Sequence, residues 1–201
     1  MPVRTLVLAS GSPARLKLLR DAGIDPVVRV SGIDEDDVDP DDTRGSAGRL
    51  AAAKAQAVAR PDGDALVIGC DSMLEFDGRP HGKPETLGEA RSWLVAMRGG
   101  AGILYTGHCL IDEATGRRAE AVVGTTVRFA VTTDAELDAY LATPDVLEVA
   151  GAFTLDGRSA PFVESIVGDP GNVIGLSLPA LRSLLGDLGV AITDLWREGD
   201  R

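Results

Sequence analysis

The near-continuous apolar run Ala65-Leu66-Val67-Ile68-Gly69-Cys70 constrains this fold more than any other stretch. It is short, and its β-branched residues favour extended backbone, so it reads as a central strand. The run ends in Asp71-Ser72. A carboxylate at the exit of a buried strand is a frequent place for chemistry in α/β folds, because ligands gather at strand ends. An aspartate that only caps the next turn would look the same. Met73 to Phe76 can continue the strand into an Asp77-Gly78 hairpin turn.

A second apolar run, Thr5-Leu6-Val7-Leu8, leads into Ala9-Ser10-Gly11-Ser12-Pro13-Ala14-Arg15. A helix is expected from Arg15 to Ala22, with Ser12 as its cap, Pro13 at its first position and Gly23 as its stop. Free N–H groups and the helix dipole there favour an anion. The hydroxyls of Ser10 and Ser12 and the forked cation of Arg15 add to this, so the stretch reads as a phosphate cradle. A plain capped helix carries the same signs, and the spacing of a Walker A loop is absent.

Pro26 to Val30 reads as a strand. The acidic stretch that follows, Asp34-Glu35-Asp36-Asp37 with Asp39, Asp41 and Asp42, reads as a solvated loop. Its first members stand just after a strand, where Asp34 or Glu35 could help hold a divalent cation. Residues 46–59 form an alanine-rich helix with an expected apolar face of Leu50, Ala53, Ala57 and Val58. Lys54 beside that face most often means a side chain reaching to solvent. Capping boxes, Thr86 with Glu89 and Thr133 with Glu136, open two further helices. Trp93, Leu94 and Met97 line one face of the first. Strands are expected over Ile103–Asp112 and Ala119–Val131. Residues 149–176 are glycine-rich, read either as turns or as backbone that approaches a ligand. A last helix is expected from Pro179 to Leu188, then an edge strand over Val190–Ile192 and a polar tail from Arg197.

The net charge of −11, from 20 basic and 31 acidic side chains, excludes a broad electrostatic footprint on nucleic acid or an anionic membrane. A small phosphorylated ligand needs only a few local cations. The 201 residues suffice for one large domain or two lobes around a cleft. Cys70 and Cys109 lie in strand-like runs and read as buried thiols of a reducing compartment. Two isolated histidines, His81 and His108, do not suggest a zinc site. No long apolar segment is present, so a soluble cytoplasmic protein is expected.

Taken together, the motifs resemble the Maf nucleoside triphosphate pyrophosphatases. The matching segments are Leu8-Ala9-Ser10-Gly11-Ser12-Pro13 with Arg15, Ser31-Gly32-Ile33-Asp34-Glu35, the Leu50–Ala55 segment bearing Lys54, and Gly69-Cys70-Asp71-Ser72. Gly82-Lys83-Pro84, Tyr105-Thr106-Gly107, Ala150-Gly151-Ala152-Phe153 and Asn172-Val173-Ile174-Gly175-Leu176 follow in family order. Leu-Tyr-Thr-Gly-His and Phe-Thr-Leu-Asp-Gly are similar to an actinobacterial branch.

The resemblance implies a two-lobed α/β fold in one domain spanning 1–201, with a mixed central β-sheet flanked by helices, a central cleft and a possible homodimer. It implies hydrolysis between the α and β phosphates of a non-standard or modified nucleotide, a small-molecule substrate, to the monophosphate and pyrophosphate. Asp71 matches the general base, and Glu35 a carboxylate linked to the metal. Ser10, Ser12, Arg15, Lys54 and Lys83 match the surroundings of the phosphates. A Mg²⁺ or Mn²⁺ cofactor held by Glu35 and Asp71 suits the chemistry, because hard cations prefer carboxylate and phosphate oxygens. Positioned cations stabilise the charge that spreads over phosphoryl oxygens.

Three positions depart from the family. Ala14, Ser72 and Asp156 stand where the resemblance puts determinants separating a dTTP/UTP-selective branch from a 7-methyl-GTP-selective branch, and they match neither. Val149 replaces a usual lysine. A carboxylate at Asp156 facing the base would reward an edge with N–H donors, as in guanine or cytosine derivatives. Two rival readings are a catalytically weak nucleotide-binding regulator linked to cell division and a metal-dependent nucleotidyltransferase.

Overall fold

The computed structural model describes residues 4–34 and 38–196. Glu35 and the expected tail from Arg197 lie outside the described residues. The frame is a mixed seven-stranded sheet. Its strands are β1 (Leu6–Leu8), β2 (Val27–Val28), β3 (Leu66–Phe76), β4 (Arg79–His81), β5 (Ala101–Asp112), β6 (Arg118–Phe129) and β7 (Val163–Val167). The main path runs β2-β1-β3-β5-β6-β7, with β4 paired to β3. The pairs β1–β2 and β1–β3 are parallel; the others are antiparallel. Six α-helices among the described residues pack around it: α1 (Pro13–Asp21), α2 (Thr43–Val58), α3 (Leu87–Met97), α4 (Asp134–Leu141), α5 (Pro170–Ile174) and α6 (Leu178–Asp187).

The central strand is longer than the apolar run suggests, so Asp71 stands in the middle of β3 and not at its exit. The surroundings of Asp71 are therefore set by the edges of β3. The β5 partner covers one edge of β3 from Leu66 to Glu75. On the opposite edge β1 pairs with Leu66–Ile68, and β4 pairs with Leu74–Phe76. Residues 69–73 therefore have no strand partner there among the described residues. The result is a notch in the sheet, bounded by β1 at one end and β4 at the other. The Asp77-Gly78 turn that returns the chain into β4 has positive φ at both residues (50° and 70°), as a two-residue hairpin requires.

Successive β3 side chains alternate faces. Leu66, Ile68 and Cys70 join Leu8, Leu19, Leu181 and Leu185 in a core under α1 and α6. Val67 packs on the opposite face with Val7 and Val58, beneath α2. Beyond the notch a separate cluster gathers Leu74, Phe76, Met97, Phe129 and Phe153. A further cluster joins α3 to α4 through Ala90, Leu94, Leu137 and Tyr140. The core is thus divided on either side of the notch, and β3, β5 and β6 run through both parts.

Helix α2 lies close because the strands beneath it carry glycines. A Cβ at Gly69 would stand 2.3 Å from the Ala51 carbonyl oxygen, and one at Gly107 would stand 2.1 Å from that of Ala47. The expected apolar face of α2 is corrected here. Ala53 and Ala57 are exposed, and the inward face is Thr43, Ser46, Ala47, Leu50, Ala51, Lys54 and Ala55. In so alanine-rich a helix hydrophobicity hardly marks a side; the contact with Gly69 and Gly107 selects it.

Both expected capping helices form. Thr86 accepts from the Glu89 N–H, and Thr133 exchanges bonds with Glu136 in a complete box. Two differences stand in the C-terminal third. Val163–Val167 form an edge strand inside the glycine-rich region, and residues 192–195 form a 3₁₀ turn where Val190–Ile192 was expected to be a strand. Both cysteines are buried, and burial pushes their thiols up, Cys70 to about 11 and Cys109 to about 12. No helix among the described residues is long and apolar enough to cross a membrane.

Candidate active site

Two loops enter the notch. Strand β1 ends at Leu8, and Ala9 donates to the Ile68 carbonyl as the chain turns into Ser10–Ser12. From the other end, β4 pairs as far as His81 opposite Leu74, so residues 82 and 83 leave the hairpin where the notch ends. A 2.8 Å bond from the Gly151 N–H to the Gly82 carbonyl ties that turn to Ala150–Ala152.

On the α2 face, Asp71 and Lys54 meet. Lys54 Nζ donates to Asp71 Oδ1 at 2.6 Å, and both side chains are more than nine-tenths buried. The expectation that Lys54 reaches to solvent is therefore wrong. Its stem belongs to the inward face of α2, and the close seat of that helix brings the ammonium onto the carboxylate.

On the α1 face, Ser72 meets Arg15. Helix α1 starts at Pro13, two residues before the expected start, and Ser12 caps it by accepting from the Arg15 N–H at 3.4 Å. The Arg15 guanidinium is buried and makes three bonds, each to a neutral acceptor. Nε donates to the Gly175 carbonyl at 2.7 Å, and the two terminal nitrogens donate to Ser10 Oγ at 3.1 Å and Ser72 Oγ at 3.0 Å. No carboxylate among the described residues pairs with it. A guanidinium has five N–H groups, so two remain unused. Ser10 Oγ also accepts from the Ser12 N–H, which leaves the Ser10 hydroxyl proton free to donate elsewhere.

Behind Ser72 the polar chain continues into the protein. Ser72 Oγ shares a 3.0 Å bond with Thr106 Oγ1, which donates to the Asn172 carbonyl at 2.8 Å. The fully buried Asn172 amide donates to the Leu104 and Val123 carbonyls and to Thr125. These bonds give the Thr106 and Asn172 motifs a physical role that sequence reading did not assign: they back the arginine through Ser72.

The remaining sequence-derived residues are more open. Lys83 is exposed and makes no hydrogen bond or ion pair among the described residues. Ala14 is half-buried on α1, one turn from Lys17. Asp156 is exposed, accepts from the Thr154 hydroxyl and lies within electrostatic reach of Lys17. Lys17 is raised mainly by its bond to Asp21, with Asp156 adding a small part. Ser72, by contrast, is engaged by Arg15 and Thr106. Depressions of about 450 and 550 Å³ lie elsewhere, beside Arg182–Thr193 and beside Arg60 and Glu113. They contain none of these residues.

The arrangement offers a carboxylate next to a buried ammonium, and a buried guanidinium with unused donors, on opposite faces of one strand edge. Comparison with known proteins shows the family to which the chain belongs. Residues 5–188 match the family model described as Maf-like protein. Among similar curated proteins, one from Streptomyces avermitilis is 58% identical over 197 residues, covering 97% of this chain and 96% of its own. Another, from Nocardia farcinica, is 52% identical over 98% of this chain and 99% of its own. A third, from Gloeothece citriformis, is 46% identical over 95% of this chain and 97% of its own. All three carry the name nucleoside triphosphate pyrophosphatase.

Proposed function

The chain belongs to the Maf family, and from that membership and the chemistry of the notch we propose that it is a nucleoside triphosphate pyrophosphatase. The observation that carries the reading is Arg15, a buried cation held only by neutral acceptors. An uncompensated charge in the interior is strongly unfavourable. An anion at the notch would relieve it, and the two unused N–H groups have the fork geometry that phosphate oxygens accept.

In this reading the α–β phosphoanhydride of a nucleotide lies across the notch. Arg15, Ser10 and the N-terminus of α1 hold phosphate oxygens from one face, Lys54 supplies positive charge from the other, and the exposed Lys83 adds a further cation. Asp71 Oδ1 is occupied by Lys54. Oδ2 accepts from no described residue and is the atom that takes the proton of the attacking water. The water oxygen joins phosphorus, the α–β P–O bond breaks, and pyrophosphate leaves with the bridging oxygen. Oδ2 has a second lone pair, and a hard divalent cation such as Mg²⁺ or Mn²⁺ binds through one or two carboxylates together with substrate phosphates. When bound, such an ion would neutralise charge on those phosphates. Asp71 would hold it, with Glu35 as the second carboxylate that the resemblance implies.

We assign substrate choice to Ala14 and Asp156, which the family resemblance places among the specificity positions. The small Ala14 leaves room there, and the Asp156 carboxylate would favour a modified base that presents N–H donors. Pyrophosphate release should be measured across canonical and modified triphosphates with Mg²⁺ and with Mn²⁺, for the wild type and Asp71→Asn. Release that Asp71→Asn abolishes is expected. No release from any nucleotide would favour a binding protein with little turnover, and transfer to an acceptor other than water would favour a nucleotidyltransferase. Equal turnover of all bases by wild type and Asp156→Ala would remove the base assignment alone.

A further inference from the structure

His108 is buried on β5 opposite Cys70, on the α1 face, and it takes no part in the chemistry above. Its Nε2 accepts the backbone N–H of Ser177 at 2.9 Å. Ser177 is the cap of α6. It stands two residues after Gly175, whose carbonyl receives Arg15 Nε. Gly175 has a φ of +125°, and a Cβ there would stand 3.0 Å from Arg15 Nε. Residues 175–177 are thus fixed at one end by the arginine and at the other by the imidazole.

Because Nε2 accepts, the neutral ring carries its proton on Nδ1. That atom is buried without a hydrogen-bond partner; the Thr106 and Ala121 carbonyls are near but outside bonding geometry. An orphaned buried donor is unfavourable, and an apolar side chain would avoid it. The acceptor role of the other nitrogen accounts for an imidazole here. The charged groups within reach are Arg15 from α1 and Asp169 from the turn before α5. Burial first, and then Arg15, push the ring's pKa down to about 4, with the two carbonyls and Asp169 acting against them.

We propose that His108 is a positioning residue: by accepting the Ser177 N–H it sets the Gly175 carbonyl against which Arg15 is aimed into the notch. The inference rests on the reading of Arg15 as a phosphate anchor. Its test is the affinity for inorganic pyrophosphate at fixed Mg²⁺ and neutral pH, measured by calorimetry. His108→Leu should weaken binding about tenfold, the scale of one hydrogen bond to a charged group. His108→Gln should restore it, because the amide oxygen can reach the Ser177 N–H. In an Arg15→Ala background, His108→Leu should cause no further loss.

Should His108→Leu fail to fold, His108→Asn replaces it, since its amide stops short of Ser177. Unchanged affinity in His108→Leu, or the same loss with and without Arg15, would overturn the proposal. Wild-type affinity in Arg15→Ala would instead overturn the phosphate reading itself.

Discussion

The two faces of β3 at the notch carry opposite solutions to one problem, a cation in the interior. Toward α2, Lys54 is neutralised at once by Asp71, 2.6 Å away. Toward α1, Arg15 receives only a carbonyl and two hydroxyls. The first arrangement pairs opposite charges within the protein. The second has charge and donors left over. In the proposed reading, the difference separates a group that does chemistry from a group that receives an anion, although the residues that meet them, Asp71 and Ser72, are adjacent in sequence.

The largest expected effect tests the chemical face. Asp71→Asn should lower kcat by about 10²- to 10⁴-fold, the usual worth of a positioned general base, while nucleotide affinity changes far less. An equal loss in both would erase the distinction between the faces. Next, Arg15→Ala should weaken pyrophosphate binding about 10- to 100-fold by calorimetry, through loss of charge-assisted bonds. If it lowers only kcat, the two faces share one role.

Gly69→Ala asks whether the seat of α2 makes the Lys54–Asp71 pair. A Cβ there meets backbone atoms at 2.3 and 2.6 Å, so the helix must shift. A loss of about 1–3 kcal/mol in denaturant unfolding is expected, with reduced turnover. Unaltered stability would mean that the close packing has slack.

The effect furthest from the chemistry belongs to acid. His108 has a folded pKa near 4 against an ordinary value of 6.5, so the unfolded chain binds the extra proton first. Its contribution to stability is intact above pH 6.5 and is lost as pH falls toward 4. The loss is roughly 2 kcal/mol at pH 5. His108→Gln should flatten this part of the urea-midpoint profile; an unchanged slope would point to another group.

Much of the frame was legible because it is written in local chemistry. Ser12-Pro13, Thr133 and Asp77-Gly78 satisfy particular backbone donors or positive φ angles as the sequence indicates, whereas Thr86 caps its helix without closing the expected box, because the Glu89 carboxylate accepts from the Glu85 N–H. The site was half legible. Arg15 and Asp71 announce themselves by type and place, but their orientation depends on contacts between distant segments. Lys54 is the clearest case. The three- and four-residue spacing of Thr43, Ser46, Ala47, Leu50, Ala51, Lys54 and Ala55 marks one helical face, but its members are too small or too polar for a hydrophobic pattern. Only the glycine floor of β3 and β5 decides it. Strand β7 escaped notice for a related reason, since it is a five-residue edge whose side chains are at most half-buried.

The unpaired edge of β3 has a further consequence, for self-association. An open strand edge is a template on which any extended segment can add, and chains defend such edges with short lengths and inward charges. Here the opening spans only residues 69–73, roughly 16 Å at the usual rise per residue. Strands β1 and β4 close it at both ends, and a charged pair sits at its middle. An invading strand would have to strip solvent and partners from Asp71 and Lys54 before it could form a ladder. Substitutions that neutralise this pair should therefore be watched for aggregation as well as for lost turnover.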